Sequence, residues 1–191
     1  MTPLLNILIC HIPERYDFMK RLTNILDPQL AKHKNNVVCL SDDSRYKSIG
    51  KKRNDLVNRV NAKYFCFIDD DDRVCSNYID LLMEGIHKDV DCCSLRGIIT
   101  EDGQNPLLFE HSIKYQAYRT VSESTEGQVR YERYPNHLNC VKTEIGKQFR
   151  FPEKNHGEDT EFATQMYKSG LLKTEHEIKQ VIYYYDYRSN K

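Results

Sequence analysis

Apolar positions along the first hundred residues alternate between two periods. Leu5 to Cys10 is a short aliphatic run interrupted only by Asn6 and ended by Pro13, after which Phe18, Leu22, Ile25 and Leu26 recur at helical spacing until Asp27-Pro28. A strand and then a helix are predicted. Val37 to Leu40 is a second apolar run, closed by the polar cluster Ser41-Asp42-Asp43-Ser44, and Ile49, Leu56, Val57 and Val60 then share one helical face. Tyr64 to Ile68 reads as a third strand, Ile79, Leu82, Met83 and Ile86 as an amphipathic helix, and Cys92 to Ile99 as a further strand. This β-α-β-α-β-α-β order predicts an α/β fold of Rossmann-like, three-layer α/β/α kind, with a mainly parallel central sheet.

From Gly103 to about Leu138 the helical period disappears. Leu107 to Tyr118 and Val129 to Tyr134 look extended, with the polar stretch Glu123 to Gln128 between them, which predicts a small antiparallel excursion carrying a mobile loop. Phe162, Ala163, Met166 and Tyr167 restore a helix ended by Gly170, and Val181 to Tyr187 reads as a closing strand. In such sheets ligands collect at the carboxyl ends of the strands, so the polar residues just after each strand are the ones to weigh for function.

Composition narrows the class. A chain of 191 residues is the length of one domain, here expected to span 1–191 with a first half of about 1–100 and a second of about 101–191. Hydrophobic residues at 39% and charged residues at 29% exclude disordered and fibrous classes. Twenty-eight basic residues against twenty-eight acidic ones argue against a general coat for polyanions. No apolar run approaches the ~20 residues of a membrane span, and a cytoplasmic location is expected. The seven cysteines are odd in number and several sit inside strand-like runs, so reduced core thiols are expected; no C-x-x-C or H-E-x-x-H suggests zinc. The tyrosines Tyr183, Tyr184, Tyr185 and Tyr187 suit a half-buried strand, and could also line a sugar or base site.

Asp69-Asp70-Asp71-Asp72 follows the third strand without a spacer. Four adjacent carboxylates repel unless a cation neutralises them, and a hard divalent ion, Mn²⁺ or Mg²⁺, held by one or two carboxylates and substrate phosphates, suits such a turn. A solvated acidic turn capping the next helix is the alternative. Arg53 falls on the apolar face of its helix and so needs an anionic partner, either the aspartates or a bound diphosphate. Residues 1–60 carry eleven Lys plus Arg against six Asp plus Glu, whereas residues 61–100 carry four against eight. That distribution suits a nucleotide diphosphate bridged by a cation.

Ile68-Asp69-Asp70-Asp71-Asp72, preceded by Gly50-Lys51-Lys52-Arg53-Asn54 and by Asp42-Asp43-Ser44, resembles the GT-A glycosyltransferases of family 2, in which a G-x-x-x-A-R-N pattern precedes a strand and a D-x-D. His156-Gly157-Glu158-Asp159 resembles the late acidic motif of that family, and the matching parts cover about residues 5–170. The resemblance implies a single GT-A domain whose first half binds a nucleotide-sugar donor, most commonly a UDP-sugar, and whose second half handles the acceptor. Asp42 or Asp43 would hold base or ribose, Arg15 and Arg53 would lie near the diphosphate, Asp69 would touch the ribose, and Asp71 would bind the metal. Register within the quartet leaves Asp69, Asp70 and Asp72 as further candidates for donor and metal. His137, His156 and His176 are the candidates for a histidine completing the metal shell.

Glycosyl transfer needs a general base for the acceptor hydroxyl and a positive charge for the leaving diphosphate. Asp159, in the first turn of its helix, maps to the base, and displacement from behind the leaving group inverts the anomeric carbon. Asn136-His137-Leu138-Asn139 offers acceptor contacts, with His137 and Glu158 as the residues named for that role. The acceptor is a hydroxyl compound of open class, a glycan first, a modified nucleic acid or a protein otherwise. A nucleotidyltransferase and a non-catalytic nucleotide-sugar or carbohydrate-binding module are the rival functions.

Overall fold

The computed structural model describes residues 2–121 and 129–188; the polar stretch expected to form a mobile loop, Glu123 to Gln128, lies outside them. The elements in order are β1 (Leu5–Cys10), α1 (Tyr16–Lys32), β2 (Val37–Asp42), α2 (Ile49–Arg59), β3 (Tyr64–Phe67), β4 (Arg73–Val74), α3 (Tyr78–His87), β5 (Cys92–Cys93), β6 (Leu95–Glu101), β7 (Gln104–His111), β8 (Arg119–Thr120), β9 (Val129–Arg133), β10 (Val141–Lys142), α4 (Thr143–Gly146), α5 (Glu158–Ser169), β11 (Glu175–His176) and β12 (Tyr183–Tyr187). Among the described residues they form two six-stranded sheets.

The first sheet has the order β11-β5-β10-β3-β1-β2. Strand β1 lies between β2 and β3 and runs parallel to both, while β10 enters antiparallel between β3 and β5. Because side chains alternate across a strand, β1 feeds two cores. Leu5, Ile7 and Ile9 pack with Leu22 and Leu26 of α1 and with Ile79, Leu82 and Met83 of α3. Leu8 and Cys10 pack on the other face with Leu56 and Val57 of α2 and Phe162 and Met166 of α5. Asn6 is the polar exception in this buried strand; its Oδ1 accepts from the amides of Asn61 and Ala62, fastening the turn into β3.

The second sheet, β4-β12-β6-β7-β9-β8, is larger than the small antiparallel excursion expected. It is mixed: β6 pairs antiparallel with β7 but parallel with β12, and β7 pairs parallel with β9. The β6–β7 hairpin turns on Asp102-Gly103, both at positive φ (49° and 76°), the primed geometry that fits strand twist. The expected single strand Cys92 to Ile99 is divided at Ser94, whose hydroxyl accepts from the Ile178 amide where the chain passes from the first sheet to the second.

Helix α1 also differs from expectation by continuing through Pro28 to Lys32. Tertiary contacts hold the turn that Pro28 would otherwise break. The buried Gln29 side chain donates to Cys75 O at 3.1 Å and accepts from the Ile79 amide at 3.0 Å, tying the end of α1 to the start of α3.

Candidate active site

The parallel strands β1, β2 and β3 end side by side and deliver Cys10 to Arg15, Asp42 and the aspartate quartet to one edge of the first sheet. The quartet is the turn by which the chain leaves the first sheet: the Asp72 amide donates to Asp69 O, and Arg73–Val74 immediately joins the second sheet. A tight turn splays its side chains, so the four carboxylates find different partners. Asp69 Oδ1 lies 2.9 Å from Arg53 Nη2, and Oδ2 lies 3.5 Å from His137 Nε2. Asp70 Oδ1 is 3.1 Å from Arg15 Nη2, and Asp71 faces the same guanidinium. Asp72 accepts from the Tyr183 hydroxyl at 2.7 Å, and that hydroxyl accepts in turn from the Asp69 amide at 3.2 Å. Burial opposes the charge on Asp69, but Arg53 and His137 outweigh it and hold the carboxyl well below the usual range.

Helix α2 explains the Gly50 to Asn54 pattern. Ser48 caps it by accepting from the Lys51 amide, and the helix then grips the segment that leads into α5. The Gly50 amide donates to Lys154 O, and a Cβ at Gly50 would stand 1.8 Å from Pro152 O, so only glycine allows this approach. Asn54 donates to Phe151 O and accepts from the Phe151 amide at 2.8 and 3.0 Å. Arg53 reaches Glu158 Oε1 at 2.5 Å with Nη1 and Asp69 with Nη2, its plane lodged between Phe67 and Phe151. The guanidinium expected beside a diphosphate is therefore engaged by two carboxylates. Glu158, expected to meet the acceptor, is buried against it.

A cavity of about 550 Å³ opens where the two sheets meet. Asp69, Asp72 and Asp159 line one side; Asn136, His137 and Leu138 form part of its wall; Phe109, His111, Tyr131, Arg133, Tyr185 and Tyr187 come from the second sheet. Gly157 at φ 73° turns the chain into α5, so that successive residues diverge: Glu158 goes inward to Arg53, and the half-buried Asp159 lines the cavity, its Oδ1 accepting from the Thr160 amide. The turn 136–139 is held by its own asparagines: Asn139 Oδ1 accepts from the Asn136 amide, Asn136 Oδ1 from the Leu138 amide, and the His137 carbonyl from the Phe67 amide. This rigid, buried turn sets the His137 ring between Asp69 and the cavity.

Thus Asp69, Asp159 and His137 come together in one cavity. Asp42 stands apart at the end of β2, where its Oδ1 accepts from the Ser44 amide and its Oδ2 from Lys47. Burial works against its charge, but those hydrogen bonds prevail and lower its pKa. Asp43 beside it is exposed. His156 is exposed, and His176 lies on β11 near Glu84 and Lys88, away from the cavity. Sequence reasoning missed His111 and Arg133. His111 is 6% exposed; burial, reinforced by the neighbouring His137, pushes its pKa down to about 3. The alternation of Tyr183, Tyr185 and Tyr187 was the available signal for the aromatic wall: period two puts all three on one face.

Among the described residues no group of three or more His, Cys, Asp or Glu side chains converges as a metal cage. The carboxylate turn after β3 therefore fits a hard divalent ion only in the mode that uses one or two carboxylates, with water and substrate phosphate completing the shell.

No protein-family model and no curated protein matches this chain. Its fold is nevertheless that of a solved protein. Staphylococcus aureus TarS 1-349 in complex with UDP-GlcNAc superposes with a TM-score of 0.64 at 14% identity, over 98% of this chain and 60% of that one. The UDP complex of TarS 1-349 gives 0.61 at 14% identity, over 96% and 60%. At this identity the likeness establishes a shared mixed α/β fold, and the chain spans about 60% of the length of TarS 1-349.

Proposed function

We propose that the protein is a glycosyltransferase of GT-A type, inverting and metal-dependent, that moves a sugar from a nucleotide diphosphate, UDP first, to a hydroxyl acceptor. The observation that carries this is one cavity lined by Asp69, at the end of β3, and by Asp159, at the tip of α5, in a fold shared with a protein crystallised with UDP-GlcNAc and UDP. The donor would lie over the carboxyl ends of β1 to β3, with Asp42 and Asp43 toward base and ribose, Asp69 and Asp70 beside the ribose, and Arg15 toward the diphosphate. Asp69 and Asp71 are the carboxylates that would hold Mn²⁺ or Mg²⁺. When bound, that ion absorbs charge on the departing diphosphate.

Asp159 takes the acceptor proton. Its place in the first turn of α5, lining the cavity, leaves an oxygen for the incoming hydroxyl. Arg53 and Glu158 fix the direction in which Asp159 points, through the buried bond that ties α5 to β3. His137 orients Asp69 and faces the acceptor side.

The test is incubation with UDP-sugars and Mn²⁺, followed by detection of free UDP, alongside thermal denaturation with UDP and with or without Mn²⁺. Ligand that binds only the folded chain raises its melting temperature. Asp159→Asn should retain the UDP shift and lose about 10²- to 10⁴-fold in transfer. Release of pyrophosphate from a nucleoside triphosphate, instead of UDP from a UDP-sugar, would assign nucleotidyl transfer.

A further inference from the structure

Two groups in the cavity are left over by this mechanism, and both are suited to an anion. Arg133, at the end of β9, is half-buried and lines the cavity. Its Nη1 donates to Arg119 O and Glu132 O at 2.5 and 2.9 Å, and its guanidinium lies over the rings of Tyr118 and Tyr131 at 4.8 and 5.3 Å. Neutral carbonyls and ring faces orient a guanidinium without cancelling its charge. Among the described residues no carboxylate pairs with it. Of the other charged groups lining the cavity, Asp69 is balanced by Arg53, Asp72 is bonded by Tyr183, Asp159 is the proposed base, and Glu101 is exposed at the end of β6. The second group is His111, at the end of β7, beside β9 in the same sheet. It lines the cavity, is 6% exposed, and its Nδ1 has no hydrogen-bond partner among the described residues. A buried ring nitrogen without a partner costs free energy that a ligand atom would recover.

We propose that Arg133 and His111 form an oxyanion subsite on the acceptor side of the cavity, so that the acceptor is a hydroxyl compound carrying a phosphate or carboxylate group. This rests on the glycosyltransferase reading, which it deepens by naming the class of acceptor. The guanidinium fork supplies charge-assisted donors, His111 supplies a ring N–H, and burial keeps water from competing. Burial also lowers the pKa of Arg133, as expected for a cation short of counter-charge. Arg133 lies over the Tyr118 ring, and Tyr118 also feels the charge of Asp159, so an anion held at Arg133 would direct its own hydroxyl toward Asp159.

The probe is glycerol 3-phosphate, with glycerol as its uncharged control, titrated into the ¹⁵N-labelled full chain with and without saturating UDP and followed by amide shifts. Glycerol 3-phosphate should cause saturable shifts around 108–111 and 131–137 in both conditions, and glycerol should cause none. Arg133→Gln should weaken that binding by about tenfold or more, and Arg133→Lys by less, with UDP affinity unchanged in both. Should Arg133→Gln lose its circular dichroism, His111→Asn carries the same readout. Equal binding by glycerol, unchanged affinity in both Arg133→Gln and His111→Asn, or shifts that UDP abolishes would each overturn the subsite; the last would place the phosphate in the donor site. If UDP itself fails to bind while glycerol 3-phosphate still does so through Arg133, the nucleotide-sugar reading fails and the anion site stands.

Discussion

Arg53→Met tests the buried ionic link on which the arrangement of the cavity depends. The side chains of Arg53 and Glu158 are 5% and 6% exposed, whereas that of Asp69 is 32% exposed. Removing the guanidinium therefore leaves Glu158 charged and without its partner in a dry setting, while Asp69 can recover some hydration from the cavity. Breaking a buried pair from one side costs about 3–5 kcal/mol. For a chain of this size each kcal/mol lowers the melting temperature by about 2–4 °C, so a fall of about 6–20 °C is expected. Methionine keeps the packing against Phe67 and Phe151, which confines the loss to the charge. Glu158→Leu added to Arg53→Met should recover most of it, because a pair of well-packed apolar side chains replaces a buried ion pair at little cost. Urea denaturation of the wild type, the two single variants and the double variant gives the coupling energy, expected at about 2 kcal/mol or more. A loss below about 1 kcal/mol in Arg53→Met, or additive single variants, would show that α5 is held in place by other contacts and refute the argument.

Gly50→Ala puts a methyl group where the Pro152 carbonyl stands, so the 152–154 backbone must shift; a loss of about 1–3 kcal/mol is expected in denaturant unfolding. Tyr183→Phe removes the hydroxyl between Asp72 and the Asp69 amide and should cost about 1–3 kcal/mol, read as a lower urea midpoint at unchanged slope. His111 has a folded pKa of about 3 against an ordinary value of 6.5, so between those pH values the unfolded chain binds the extra proton and stability falls as pH is lowered. The slope from this group reaches about 1.4 kcal/mol per pH unit, and His111→Asn should remove it between pH 6 and 4; parallel stability curves for the two proteins would count against the buried neutral imidazole.

Much of the first sheet was legible because its strands and helices carry clean periods. Leu5 to Cys10 and Tyr64 to Ile68 are buried on both faces, and with the edge strand Val37 to Leu40 they read as nearly continuous apolar runs, while the helices between them repeat at three and four residues. The second sheet was harder to see. Its strands are half-exposed, β6 and β12 pair in parallel from distant parts of the chain, and β6 is continuous in pattern with β5 although the two belong to different sheets. Pro28 misled for a similar reason: local chemistry argued for a stop, and contacts from Cys75 and Ile79 to Gln29 overrode it.

The sequence by itself determined the alternating order of strands and helices, the position of the carboxylates directly after β3, and the place of Asp159 in the first turn of a helix, since each depends on neighbours a few residues away. It also showed that Arg53 needed an anion. Tertiary structure alone decided which anion, because Glu158 lies 105 positions along the chain and Asp69 only 16, and local spacing cannot bring both to one guanidinium. It likewise decided that His111 and Arg133 share the cavity of Asp159, for their positions are set by strand pairing in the second sheet. Pairing between distant strands is governed by the burial of whole faces and by chain direction, and neither is written in a short window of residues.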